Sequence, residues 1–273
     1  MPDTTKGKRR VFSSADRIYD LEHVRGADAP YMAAHAVGYT YTLHRHHQAH
    51  PGDPRSGASG VLIAGDHNGT HIDALCHQAE GMTLCGGIQI DEHVQTPTGF
   101  ASLGAETVQP ILGRGVLLDV AGHRGIPVLP FETTVSQAEL EAVAAAQGTH
   151  IGRGDVALVR TGAGSLWETP AEYVRAAGIA ADASAWLAEL GVRAVGADNI
   201  AWDLDSPRLD PLTETSFPGH VILLVRHGIH IVENLYLEEL ARDRVYAFTF
   251  ICVPPKLKGA TGSPVRPLAV VHG

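Results

Sequence analysis

HNGTHIDALCH, residues 67–77, is the stretch from which the rest of the chain can be read. It gathers four groups suited to a divalent metal, His67, His71, Asp73 and His77, around a Gly-Thr pair. Imidazole mixed with carboxylate favours a borderline cation such as zinc or manganese over calcium or magnesium, which prefer oxygen shells. The spacing allows convergence. His71 and Asp73 are two apart, so on a strand both point to one face. His67 lies four before His71, but Gly69 and β-branched Thr70 are poor helix formers, and a glycine bend feeding a short strand is expected. His77 returns to the same side if a turn of helix begins near Ala74. In a chain with 16 histidines a lone His-x-x-x-His means little. The added carboxylate, bend glycine and further imidazole make the pattern specific.

The same stretch resembles the H-x-G-T-H-x-D-x-x-x-H signature of the cyclase family of metal-dependent hydrolases, which includes bacterial kynurenine formamidase and isatin hydrolase. Later blocks resemble the family too: GRGVLLDV at 113–120, GDVALVRTG at 154–162, GADN at 196–199, FPGH at 217–220, GIHIVENLYLEEL at 228–240 and CVPPKLKGATGSPVRPLAVV at 252–271. The resemblance covers nearly everything from residue 16 onwards. It implies a swivelling β/β/α fold. In two-metal members it puts one ion on His67, His71 and Asp73. The second ion shares the Asp, with His220 of FPGH and Glu233 of IVENL completing the set. His77 matches the family's proton donor and acceptor.

Glu233 also stands out without that likeness. Its expected strand carries Ile229, Ile231 and Val232, among which an unpaired carboxylate is costly. Metal coordination or an arginine partner would explain it. His220 opens a helix and could equally be a capping or packing residue.

At 273 residues the chain can bury a sizeable core, and its 44% hydrophobic and 19% charged residues are ordinary for a soluble globular protein. Acidic residues exceed basic ones by 30 to 21, a formal charge of −9, which disfavours nucleic acid or an anionic membrane as partner. No apolar run approaches a membrane span, and MPDTTKGKRR lacks an apolar segment of the secretory kind. Three cysteines, Cys76, Cys85 and Cys252, suit a reducing cytoplasm better than a disulfide framework. Cys76, next to His77, is read as a buried free thiol facing away from the metal.

Residues 1–10 read as a disordered tail and 11–273 as a single α/β domain with mixed sheets. IYDL (18–21) begins the ordered part, and strands are expected around Tyr39–Leu43, at 113–119, 155–161, 192–199, 229–234, 244–254 and at the end over 266–273. SQAELEAVAAAQG is a helix capped by Ser136 and stopped by Gly148; a second runs over 183–190, capped by Asp182 and ended by Gly191. Another is expected near 170–177, and HVILLVRHG reads as a short buried helix. His44, His46, His47 and His50 approach the loop PGDPRSGASG and read as solvated loop histidines.

These parts describe a metal-activated water attacking a carbonyl, with His77, titrating near neutrality, carrying a proton to the leaving nitrogen. No serine elbow is present, and no cysteine has a base at hand. The expected activity is cleavage of an amide C–N bond in a small aromatic substrate, an N-formyl arylamine or a cyclic amide of the isatin type. One or two zinc or manganese ions per chain and a homodimer or higher homo-oligomer are expected. Leu75 replaces the formamidases' proline, and DAPYM at 28–32 lies where their W-P-G-D segment would be, with Tyr31 as a candidate substrate-binding ring. A lactone hydrolase or polyketide-type cyclase on the same metal, and a non-catalytic metal-binding protein, are the alternatives.

Overall fold

Apolar runs with glycine and alanine between them dominate the middle of the chain, and they assemble side by side. The computed structural model describes residues 15–35, 38–206, 208–211 and 213–273, so the expected N-terminal tail lies outside the described residues. In chain order the strands that matter here are β1 (Arg17–Asp20), β2 (Thr40–Arg45), β3 (Ser59–Ile63), β4 (His71–Asp73), β5 (Ile111–Asp119) and β6 (Val156–Arg160). They continue with β7 (Ala194–Ala197), β8 (His230–Glu233), β9 (Ala247–Cys252), β10 (Gly262–Pro264) and β11 (Leu268–Val271). The helices that matter are α1 (Gln137–Ala146), α2 (Ala181–Leu190) and α3 (Pro218–His220).

All of these strands except β2 and β3 form one mixed nine-stranded sheet, in the order β1-β11-β9-β5-β6-β7-β8-β4-β10. The central four, β5 to β8, are parallel, and the flanking strands are antiparallel. Parallel strands are covered on both faces and so read as near-continuous apolar runs. Accordingly every residue of β6 is buried. On one face Val116, Leu118 and Val159 pack with Leu140 and Val143 of α1 and Leu187 of α2. On the other, Leu117 and Leu158 pack with Phe250, Leu237 and Leu240.

α1 is capped as its sequence implies, with Ser136 Oγ accepting from Glu139 N at 3.4 Å and Gly148 in the left-handed region at φ +64°. α2 starts two residues earlier than its acid suggests. Its N-cap is Ala180, and Asp182 sits inside the first turn, accepting from Ala183 N at 2.8 Å and reaching Gln137 N at 3.2 Å. The carboxylate therefore ties α2 to the start of α1. Gly191 ends the helix at φ +72°. Beyond α3 the chain winds into a π-helix over Val221–Arg226, whose five apolar residues are buried. No helix among the described residues is long and apolar enough to cross a membrane.

The strand expected around Tyr39–Leu43 is present as β2, paired with β3 in a hairpin outside the nine-stranded sheet. Its alternation is real, yet every residue of β2 is exposed. Tyr41 pairs with Leu62 and Thr42 with Val61, so apolar groups occupy both faces of the ribbon. His44, His46, His47 and His50 are solvated, as expected.

Candidate metal centre

The chain brings its first candidate ligands together through one bent loop. Gly69 adopts φ +67°, and a Cβ there would press on Arg25 at 3.0 Å. That guanidinium donates to the carbonyls of Asn68 and Thr70 and is held by Glu22 at 2.7 Å. Clamped on both sides of Gly69, the chain enters β4 with His71 and Asp73 on one face. Past Ala74 it makes a turn, not a turn of helix, closed by His77 N donating to Ala74 O at 2.9 Å. The turn suffices to carry His77 back to the same side. Cys76 is a buried free thiol, as read from sequence.

β8 pairs with β4 so that Glu233 faces His71 across the ladder, and β10 places Gly262 opposite Asp73. α3 delivers His220 from above the carboxyl ends of the parallel strands, the customary location of ligand sites in open α/β sheets. All six residues converge. Asp73 is fully buried, with Oδ1 3.0 Å from His67 Nδ1 and 3.5 Å from His71 Nε2, and Oδ2 3.4 Å from His220 Nε2. Glu233 lies 3.3 Å from His71 Nε2 and 3.2 Å from His220 Nε2. Two groups, His67–Asp73–His77 and His71–Asp73–Glu233, each hold one potential ligand atom per residue within 4.8 Å of the others.

Three of the histidines have their far nitrogen held by an oxygen. His71 Nδ1 donates to Gly69 O at 2.8 Å. His220 Nδ1 lies 2.7 Å from Asp203 Oδ2, and that carboxylate also accepts from Gly219 N and His220 N. His67 Nε2 meets Thr261 Oγ1 at 2.9 Å, and the hydroxyl donates to Asp66 at 2.8 Å. Each ring consequently turns its other nitrogen inward. This is how proteins fix the tautomer and aim of metal-binding imidazoles.

The electrostatics point to a cation. Burial would raise Asp73, yet surrounding histidines hold it well below the ordinary carboxylate range. Burial and the Asp73 charge would raise Glu233 as well, but His220 and His71 beside it bring it to about 2. Burial opposes the charged form of His71, and Asp73 and Glu233 override it, lifting the ring to about 10. Both Asp73 oxygens and His71 Nε2 are buried without a hydrogen-bond partner. Buried polar atoms left unpaired are expensive, and a divalent cation would satisfy all three. The residues therefore fit the zinc or manganese expected from sequence.

His77 differs from the near-neutral titration expected of its type. Burial, outweighing the Asp73 charge, pushes it down to about 3, so the ring is neutral. A cavity of about 360 Å³ opens above these groups, walled by Met32, Ile200 and Phe217 and bordered by Gln78. Gln78 Nε2 lies 3.3 Å from His77 Nε2. Tyr31 lines a neighbouring cavity of about 830 Å³ that shares Met32 and Ala33 with this one. It does not border the space above the histidines.

Sequence reasoning missed Asp203, Asp66, Thr261 and His35. His35 stacks near the site, its ring centre 4.8 Å from that of His67. A His after Ala33-Ala34 carries no local signal, and the other three act only through residues remote in sequence.

Residues 19–204 match the family model named Cyclase. The chain belongs to the cyclase family. Among curated cyclase-family relatives, a kynurenine formamidase of Bacillus cereus is 37% identical over 209 residues, covering 76% of this chain and 77% of the relative. A crystal structure described as a novel cyclase superimposes with a TM-score of 0.82 at 28% identity, covering 94% of this chain and 87% of that one. Isatin hydrolase A from Ralstonia solanacearum shares the cyclase fold, with a TM-score of 0.73 at 20% identity and coverage of 94% and 92%.

Proposed function

We propose that the protein is a metal-dependent hydrolase of non-peptide C–N bonds, acting on a small aromatic amide. The observation that carries this is Asp73, fully buried with neither oxygen hydrogen-bonded and ringed by inward-turned histidines that line an apolar-walled cavity. The formamidase named among its relatives supports the bond type.

His67, His71, Asp73, His220 and Glu233 would hold zinc or manganese, and sharing of Asp73 between two ligand groups favours a pair of ions. When bound, a divalent ion supplies Lewis acidity, easing deprotonation of water near pH 7 and polarising a carbonyl. The chain's own residues do the rest. Met32, Ile200 and Phe217 exclude water and receive an aromatic ring, leaving its carbonyl over the carboxylate floor. His77, neutral and beside Asp73, accepts the proton of the attacking water and returns it to the leaving nitrogen. Oxygen is added to the carbonyl carbon, the C–N bond breaks, and an acid and an amine (or one amino acid product from a cyclic amide) are released.

The test is turnover of an N-formyl arylamine, an isatin-type cyclic amide and a matched aryl lactone by metal-reconstituted protein. Hydrolysis of either amide that disappears on chelation and returns with zinc or manganese is the expected result. A protein that cleaves only the lactone is a lactonase or cyclase. One that cleaves nothing and loses metal only by unfolding uses the metal structurally.

Self-association belongs to the same reading. The ribbon β2–β3 carries exposed Tyr41, Leu43, Val61, Leu62 and Ile63, and a two-stranded ribbon is marginal unless something packs on it. Light scattering after size exclusion is expected to show a dimer or larger assembly.

A further inference from the structure

Asn234 follows Glu233, and each of its polar groups is engaged with a segment from elsewhere in the chain. It is buried and adopts φ +56°, a left-handed conformation that asparagine tolerates better than most residues. Its backbone N–H donates to Asn199 O at 3.0 Å, and its carbonyl accepts from Thr70 Oγ1 at 2.6 Å. Its side-chain Nδ2 donates to Gly69 O at 3.2 Å. Its Oδ1 accepts from the buried Tyr173 hydroxyl at 2.9 Å.

Gly69 O is the atom on which the aim of His71 depends. A neutral imidazole donates from one nitrogen and presents a lone pair on the other. With Nδ1–H given to Gly69 O, Nε2 faces Asp73 and Glu233, where a bound cation would take its lone pair in place of the proton those carboxylates otherwise favour. The peptide that carries this carbonyl belongs to a glycine, the residue least able to hold its own orientation. Arg25 fixes the carbonyls on either side, of Asn68 and Thr70, but does not touch this one. Asn234 supplies the second hydrogen bond to Gly69 O, and Tyr173 in turn fixes which end of the amide faces it.

We propose that Asn234 is a positioning residue for the metal. Through Gly69 O it locks the tautomer and direction of His71, and because it is joined to Glu233 it ties two ligands on adjacent strands into one rigid unit. The proposal rests on His71 being a ligand, and the experiment separates the two ideas.

Three variants are loaded with zinc, and affinity is read by competition with a chromogenic chelator, alongside the thermal midpoint of metal-free protein. Asn234→Gly keeps the left-handed backbone and removes the amide; Asn234→Ala removes the amide and adds backbone strain; Tyr173→Phe removes only the hydroxyl that orients the amide. Both Asn234 variants are expected to weaken zinc binding by the same factor, about 10–100-fold, as for other supporting partners of metal ligands. Only the alanine variant should lose further thermal stability. Tyr173→Phe should weaken zinc in the same direction by less. Wild-type affinity in Asn234→Gly, with loss confined to Asn234→Ala, would assign Asn234 a purely conformational role and overturn the proposal. A His71→Ala control that keeps wild-type affinity would instead remove the ligand reading beneath it.

Discussion

Asp203 accepts hydrogen bonds from His220 at two points, the backbone N–H at 3.0 Å and the ring Nδ1 at 2.7 Å, so one buried carboxylate fixes both the position and the rotation of that imidazole. Removing it frees the ring to turn. Asp203→Ala should weaken metal binding about 10–100-fold, as measured by chelator competition. Unchanged affinity would show that α3 alone aims His220.

Asp73 stands at the centre of the cluster, and both ligand groups pass through it. Asp73→Ala should empty the site and abolish turnover. Its metal-free fold should survive, because the sheet that carries the site is packed through apolar clusters on both faces. Elemental analysis beside circular dichroism checks both halves. Full metal content at an undiminished rate would end the central assignment.

His77 is close enough to Asp73 to be a ligand, whereas the proposed function makes it the proton carrier. The sequence pattern favours the second role. His77→Ala should retain metal and lose about 10²–10⁴-fold in turnover, the usual worth of a positioned acid–base group. Metal lost in step with activity would make it a ligand, and unchanged turnover would leave it no part in the reaction.

A pH effect is expected away from the metal. Asp198 accepts from Thr161 N, Thr161 Oγ1 and Gly162 N at 2.7–2.8 Å, yet burial dominates those bonds and the Arg160 charge and pushes it up to about 6. A carboxyl raised on folding takes up protons more readily in the folded chain. Its contribution is full below its unfolded value near 3.8 and declines as pH rises through about 6. Wild-type stability measured relative to Asp198→Asn, by denaturant midpoint, should therefore fall between pH 4 and 6. A flat or rising difference would mean that the donors, not burial, set this group.

How much of this was legible in the chain depends on the range of each interaction. The bend at Gly69, the strand face shared by His71 and Asp73, and the capped helix α1 rest on neighbours a few residues apart, and local chemistry encodes them. Glu233 was visible as a carboxylate among apolar residues, and His220 through its family-like block. Asp203, Thr261 and Asn234 were not, because what they do is set by which atom they meet across the fold. Asp182 misled for a related reason: it is an acid at a helix start, but it sits inside the first turn and reaches the start of the preceding helix. The π-helical winding of Val221–Arg226 has no counterpart in a run of aliphatic residues. For β2, alternation marked a strand but carried no word of its surroundings, and every residue of it is exposed.

The pairing of His67 with Thr261 spans 194 residues, and it carries a consequence for the order in which the site can come into being. During synthesis His67, His71 and Asp73 exist long before His220, Glu233 and the segment that lays Gly262 against Asp73. Until those arrive, the early residues are a solvated tripod with neither dry walls nor fixed imidazoles. A metal caught then would be held loosely and exchange readily with whatever cation is abundant. For the metal site proposed above, choice of cation would thus be deferred to the closing of the sheet, and maturation, more than translation, would be the stage at which metal supply in the surroundings decides the outcome.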